Sequence, residues 1–202
     1  MVEQAKVGSD APTLPQSVIV ELAFGVVGIV VIVATGHALV DAFSTPVTPL
    51  LAAAAGIVVG AALGGIFGLG VTRPLFADRV RPFLSRFTSA PPTALNFALI
   101  GVAAALGEET LFRAAIQPAI GIVVASILFM LAHSIIADFR HPSAGKFAYA
   151  ALAFGMGLVL GVAYDRFGIA ASMCIHFAFD TVTLILIRPL LPNREALRGA
   201  LV

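Results

Sequence analysis

Long apolar runs separated by short polar interruptions make up most of the chain. The first extends from Val18 to about Leu39, and His37, Asp41, Pro46 and Pro49 mark the turn that follows. Glu21, one turn into this run, is expected to reach back to the membrane interface. The second run, Val47 to about Val71, carries Gly56, Gly60, Gly64 and Gly68 at intervals of four. That spacing puts the glycines on one helical face and predicts a seam for close helix packing. A third run begins near Thr93 and reaches about Gln117, with Pro118 and Gly121 as turn signals. Ile122 to Ala137, Phe147 to Tyr164 (with Gly157 and Gly161 as a second small-residue seam) and Ile169 to about Ile187 bring the number of predicted spans to six. At about 1.5 Å per residue, runs of this length suit a hydrocarbon core of roughly 30 Å.

Composition turns these runs into membrane spans. Of 202 residues, 59% are hydrophobic and only 11% are charged, and mean hydropathy is +1.03. A soluble domain carries about a quarter charged residues. The fold class is therefore all-α, a polytopic membrane helical bundle of about six transmembrane helices. With no repeat and no dividing linker, residues 1–202 read as one domain. It comprises a polar tail (1–16), two spans with a connector (17–92), a four-helix core (93–187) and a second tail (188–202). The N-terminal stretch lacks the basic and apolar pattern of a signal peptide and is expected to be retained.

Arg73 to Pro92 interleaves Arg73, Arg79, Arg81 and Arg86 with Phe76, Phe83 and Phe87, as suits an interfacial connector. If the N-terminus lies inside, only Arg113 and Arg166 of the 12 Lys and Arg residues fall away from the cytoplasmic side. Both termini are therefore expected in the cytoplasm, and the protein in the cell membrane as a multi-pass protein. The net charge of +1, without a contiguous basic stripe, argues against a nucleic-acid partner. Cys174 is the sole cysteine, so no intrachain disulfide can form.

Against this background the stretch Gly107-Glu108-Glu109-Thr110-Leu111-Phe112-Arg113 stands out. Ionisable residues inside a membrane are costly and point to function. A hairpin turning near Ile120 places Glu108 and His133 at one depth, each about 12 residues, or roughly 18 Å, from the turn. A second hairpin turning near Arg166 brings His176 and Asp180 to a similar depth. His37 and His141 lie in connectors, so the two histidines within spans fall in the same layer as the carboxylates. Arg113 can pair with Glu109 four residues earlier, leaving Glu108 the freer carboxylate. Asp180, four residues after His176, can fix the tautomer of that imidazole.

Glu108-Glu109-xxx-Arg113, Phe129-xxx-His133 and His176-xxx-Asp180, in this order on successive apolar segments, resemble the three motifs of the CAAX-protease and bacteriocin-processing family of intramembrane endopeptidases. The resemblance covers roughly Leu95 to Ile187. It implies a peptidase acting on a membrane-tethered or prenylated, hydrophobic peptide or protein within the lipid bilayer. It further implies that Glu108 and His133 form the general-base pair, that His176 and Asp180 serve the oxyanion, and that Glu109 and Arg113 support them. The third motif often ends in asparagine; with Asp180 there, the side chain must either carry a proton or act only by orienting His176.

Members of this family are described both as glutamate proteases and as metalloproteases. Glu108, His133 and His176 are the metal ligands if Zn²⁺ is present. No compact HExxH pattern accompanies them, which favours chemistry without a cofactor. A non-catalytic membrane interaction or bacteriocin-immunity protein of the same fold is the alternative, and an ion-coupled transporter a third reading, weakened by the missing repeat.

Overall fold

The computed structural model describes residues 13–73, 93–136 and 144–190, which form helices joined by turns and short loops. Helix α1 spans Leu14–Ala34, the short α2 Leu39–Ala42, α3 Pro49–Val71 and α4 Ala94–Glu109. A π-helical segment, Thr110–Ile116, continues α4 into α5, Gln117–Ile136. Helices α6, Ala144–Phe167, and α7, Ile169–Ile187, complete the bundle before a 3₁₀ turn at Arg188–Leu190. Most of the connector expected at Arg73 to Pro92, part of the polar stretch from Asp138 to Lys146, and most of the two terminal tails lie outside the described residues.

Local chemistry sets the ends of these helices. Thr13 caps α1 through its backbone N–H, which donates to Gln16 Oε1 at 2.8 Å, and Pro15 fits the first turn, where no intrahelical N–H is needed. Thr93 caps α4 by accepting from the Asn96 N–H at 3.1 Å. Gly121 and Gly168 take positive φ, +78° and +84°, at the two hairpin turns. With ψ at 166° and 179°, these are conformations that only glycine adopts without strain.

Among the described residues, five continuous helices are long and apolar enough to cross a membrane. One of them, Ala94–His133, is 40 residues long, about twice the length that one crossing requires. The break at Gly121 folds it back on itself, so it supplies the third and fourth of the six expected spans. The result is an all-α polytopic bundle, a multi-pass membrane protein.

Packing follows an inside-out rule suited to lipid. Helix α3 buries Ala52, Gly56, Gly60, Gly64, Gly68 and Val71 while exposing Leu50, Val58 and Ile66. Its glycine seam lies on α7, where a Cβ on Gly56 would come within 2.7 Å of the Ala171 carbonyl and one on Gly64 within 2.6 Å of that of Phe179. Van der Waals contact between backbones takes the place of hydrophobic exclusion, which lipid cannot supply. Gly157 and Gly161 of α6 meet Ser126 and Ile122 of α5 in the same manner. Gln117 donates to the Gly161 carbonyl at 3.0 Å and to Asp165 Oδ1 at 2.7 Å, holding both hairpin turns on one face of the bundle.

Candidate active site

The centre of the bundle is the junction of α4 with the π-helical segment. Thr110, Leu111, Phe112, Arg113, Ala114 and Ala115 are all buried, so this segment is enclosed around its whole circumference. A π turn widens the helix locally, a device found most often at functional sites. Glu108 and Glu109, adjacent in sequence and both buried, point about 100° apart on an α-helix and so meet different walls of the bundle.

Glu109 is the hub of one wall. Its Oε2 accepts from Arg113 Nε at 3.2 Å and from the Ser172 hydroxyl, and its Oε1 lies 2.8 Å from His176 Nδ1. Arg113 is fully buried, and its Nη1 and Nη2 have no hydrogen-bond partner among the described residues. The guanidinium instead sits 5.0 Å from the centroid of the Phe129 ring, whose π face attracts a cation. Phe129 is the packing centre of the site, 4.3 Å from the His133 ring, 5.3 Å from Phe112 and 6.0 Å from His176.

Glu108 faces the other wall. Its Oε2 is 3.6 Å from His133 Nε2 and has no hydrogen-bond partner among the described residues. His133 Nδ1 donates to the Phe129 carbonyl at 2.9 Å, so in the neutral ring Nε2 holds the lone pair that looks towards Glu108. On α7, His176 Nε2 is 3.4 Å from Asp180 Oδ2. With Nδ1–H directed at Glu109, Nε2 faces the Asp180 carboxyl at a separation longer than a good hydrogen bond. Asp180 is the most open member of the group, its side chain 28% exposed.

The structure therefore brings Glu108 to His133, Glu109 to Arg113, and His176 to Asp180, and it joins the last two pairs through Glu109. Three residues were missed by reading the sequence. Ser172 stands four residues before His176, as His176 does before Asp180, so its spacing placed it on the same face. Tyr149 of α6, its ring 6.2 Å from that of His133, gave no signal beyond being one of two tyrosines. Glu21 does not reach back to the interface as expected. Its Oε2 is buried, on a part of α1 that packs directly against α4 because Gly107 leaves no side chain between the two helices.

The proposed Zn²⁺ ligand set does not fit this geometry. Both nitrogens of His176 face carboxylates, and among the described residues no three His, Cys, Asp or Glu side chains are gathered closely enough to hold a metal ion.

Residues 90–182 match the family model described as Type II CAAX prenyl endopeptidase Rce1-like. That stretch contains Glu108, Glu109, Arg113, Phe129, His133, His176 and Asp180, while α1 and α3 lie outside it. No curated protein and no solved structure matches the chain. All three polar motifs lie inside the matched stretch, and over residues 90–182 the chain is similar to the Rce1-like type II CAAX prenyl endopeptidases.

Proposed function

We propose that the protein is an endopeptidase of the cell membrane that hydrolyses a peptide bond of a membrane-tethered, hydrophobic or prenylated substrate with a water activated by Glu108 and His133. The observation that carries this reading is the 3.6 Å approach of Glu108 Oε2 to His133 Nε2. This is longer than a good hydrogen bond between them. Two acceptors side by side can instead each take a hydrogen from one water, turning an oxygen lone pair towards a carbonyl carbon. As the new C–O bond forms, the water's proton passes to this pair.

The developing oxyanion needs a donor and must avoid a bare carboxylate. A proton carried by His176 Nε2 or by the Asp180 carboxyl supplies that donor, and Glu109 orients the imidazole through its 2.8 Å contact with Nδ1. When the C–N bond breaks, the proton taken from water goes to the leaving nitrogen, giving one new carboxyl and one new amino terminus. No step in this reading requires a metal.

The test compares peptide termini in membranes of cells carrying the wild-type protein or Glu108→Gln at equal abundance. New termini that depend on Glu108 are the expected result. Identical sets of termini in the two cell lines would remove the peptidase reading and leave a non-catalytic role for the fold.

A further inference from the structure

Ser172 belongs to none of the three motifs, yet its hydroxyl reaches the middle of the site. A hydroxyl within a helix commonly donates to the carbonyl four residues earlier. Thr35, Thr110 and Ser126 do so, at 2.8, 2.6 and 2.7 Å. Ser172, fully buried as the fourth residue of α7, donates across to Glu109 Oε2 on α4 instead. The Gly168 carbonyl, four residues earlier, already accepts the Ala171 and Ser172 N–H groups at 3.2 and 3.5 Å.

Ser172 and His176, one turn apart on α7, thus take one oxygen each of the same carboxylate, Oε2 and Oε1. The terminal torsion of a glutamate has only a broad preference of its own, so the contacts at its two oxygens set it. Arg113 touches Oε2 through Nε alone, at 3.2 Å, while its Nη1 and Nη2 have no hydrogen-bond partner among the described residues. A guanidinium and a carboxylate favour a two-point pairing. Without the Ser172 hydroxyl, the Glu109 carboxylate is free to turn into that pairing and withdraw Oε1 from His176.

We propose that Ser172 is the positioning residue for His176: it holds Glu109 Oε2 on α7, keeps the carboxylate from closing on both sides of Arg113, and so keeps Oε1 on His176 Nδ1 with Nε2 facing Asp180. The benefit to an oxyanion rests on the peptidase reading, but the hold on Glu109 does not.

Solid-state NMR of the purified full-length protein in lipid tests this without a substrate. Histidine carries ¹⁵N at Nδ1 alone and glutamate carries ¹³C at its side-chain carboxyl, and the ¹³C–¹⁵N dipolar coupling reads the distance between them. Nδ1 of His37 faces Thr35 Oγ1 and that of His133 the Phe129 carbonyl, whereas that of His176 lies 2.8 Å from Glu109 Oε1. The unsubstituted protein is expected to show this coupling, and Ser172→Ala to lose it. Ser172→Thr, which keeps the hydroxyl, should retain it. So should Ser126→Ala, which removes an equally buried hydroxyl that serves its own helix.

Undiminished coupling in Ser172→Ala overturns the proposal, as does equal loss in Ser172→Thr or Ser126→Ala. Absence of the coupling from the unsubstituted protein also overturns it, and is decisive even if a variant does not fold. Where cleavage depends on Glu108, Ser172→Ala should lower turnover by about 10²-fold, the cost of a misplacement of about 1 Å, with KM unchanged. Loss of the coupling in Ser172→Ala, with no cleavage that depends on Glu108, would leave the hold on Glu109 standing and remove the peptidase reading.

Discussion

Gly107 and Glu21 touch through backbone alone: a Cβ built on Gly107 would overlap the carbonyl oxygen of Glu21. The glycine that opens the Gly-Glu-Glu motif is thus a packing requirement set by α1. Gly107→Ala must push α1 away from α4 and should cost about 1–3 kcal/mol, the range for overpacked sites. Gly155→Ala is the control, because nothing lies within 4 Å of the Cβ it would add. It should be neutral or gain up to about 1 kcal/mol from helix propensity. Reversible unfolding in mixed detergent micelles measures both, and equal stability of the two variants would show that the close approach is not required.

The two adjacent glutamates should separate by experiment as they do in space. Glu109 supplies the anion for a fully buried Arg113 and also receives Ser172 and His176. Glu109→Gln strands that cation, and breaking a buried pair in this way costs about 3–5 kcal/mol. Glu108→Gln strands no cation and should leave stability within about 1 kcal/mol, the range of a net hydrogen-bond change. Unfolding midpoints of the two variants, measured side by side, should differ accordingly. A Glu109→Gln protein as stable as wild type would mean that Phe129 and the remaining dipoles hold Arg113 without its carboxylate.

Much of this arrangement was legible because a hairpin is symmetric about its turn. Once Pro118 and Gly121 located a turn, the depth of Glu108 and His133 followed from counting, and the four-residue glycine spacing of α3 specified a seam. The inward turn of Glu21 was not legible in the same way. Helix α1 is apolar around almost its whole circumference, so hydrophobic periodicity does not encode its rotation about its own axis. The usable signal was the face shared by Glu21, Gly25 and Gly28, which resembles the α3 seam but is shorter and less regular. Nothing in the residue order announced the π turn at Thr110–Ile116, which depends on how α1, α5 and α7 surround that segment. The joining of two motifs through Glu109 was hidden because the sequence offers Arg113 as a sufficient partner four residues away.

Gly121 makes a second backbone prediction. It holds φ +78° and ψ 166° at the turn between the third and fourth spans, with nothing within 4 Å of an added Cβ. Space is therefore no obstacle, and the cost of Gly121→Ala is conformational, about 1–3 kcal/mol for a residue forced into this region. Because the turn sets the register of Glu108 against His133, cleavage should fall along with stability. Full activity together with an unchanged unfolding midpoint would show that the turn can be made in another conformation.

Chelation addresses the metal directly. For His176 to ligate a cation it must give up either its 2.8 Å contact with Glu109 or its approach to Asp180. The first of these also holds the arm that pairs with Arg113. Incubation with a strong chelator, followed by its removal, is therefore expected to leave cleavage unchanged. A loss of activity that Zn²⁺ restores would require the His176 contacts to rearrange on metal binding.

Glu108 and His133 should not contribute independently. If each accepts one hydrogen of the same water, either alone leaves that water poorly oriented, so removing the second group has little left to destroy. Glu108→Gln and His133→Ala are each expected to lower the cleavage rate by about 10²–10⁴-fold, the range of positioned general-base catalysis. The double variant should fall to nearly the same rate as the slower single variant, as with residues that act as a unit. Rates measured on a Glu108-dependent cleavage product in proteoliposomes decide it. Multiplicative losses would mean that the two side chains serve different steps, and the 3.6 Å approach between them would then need another explanation.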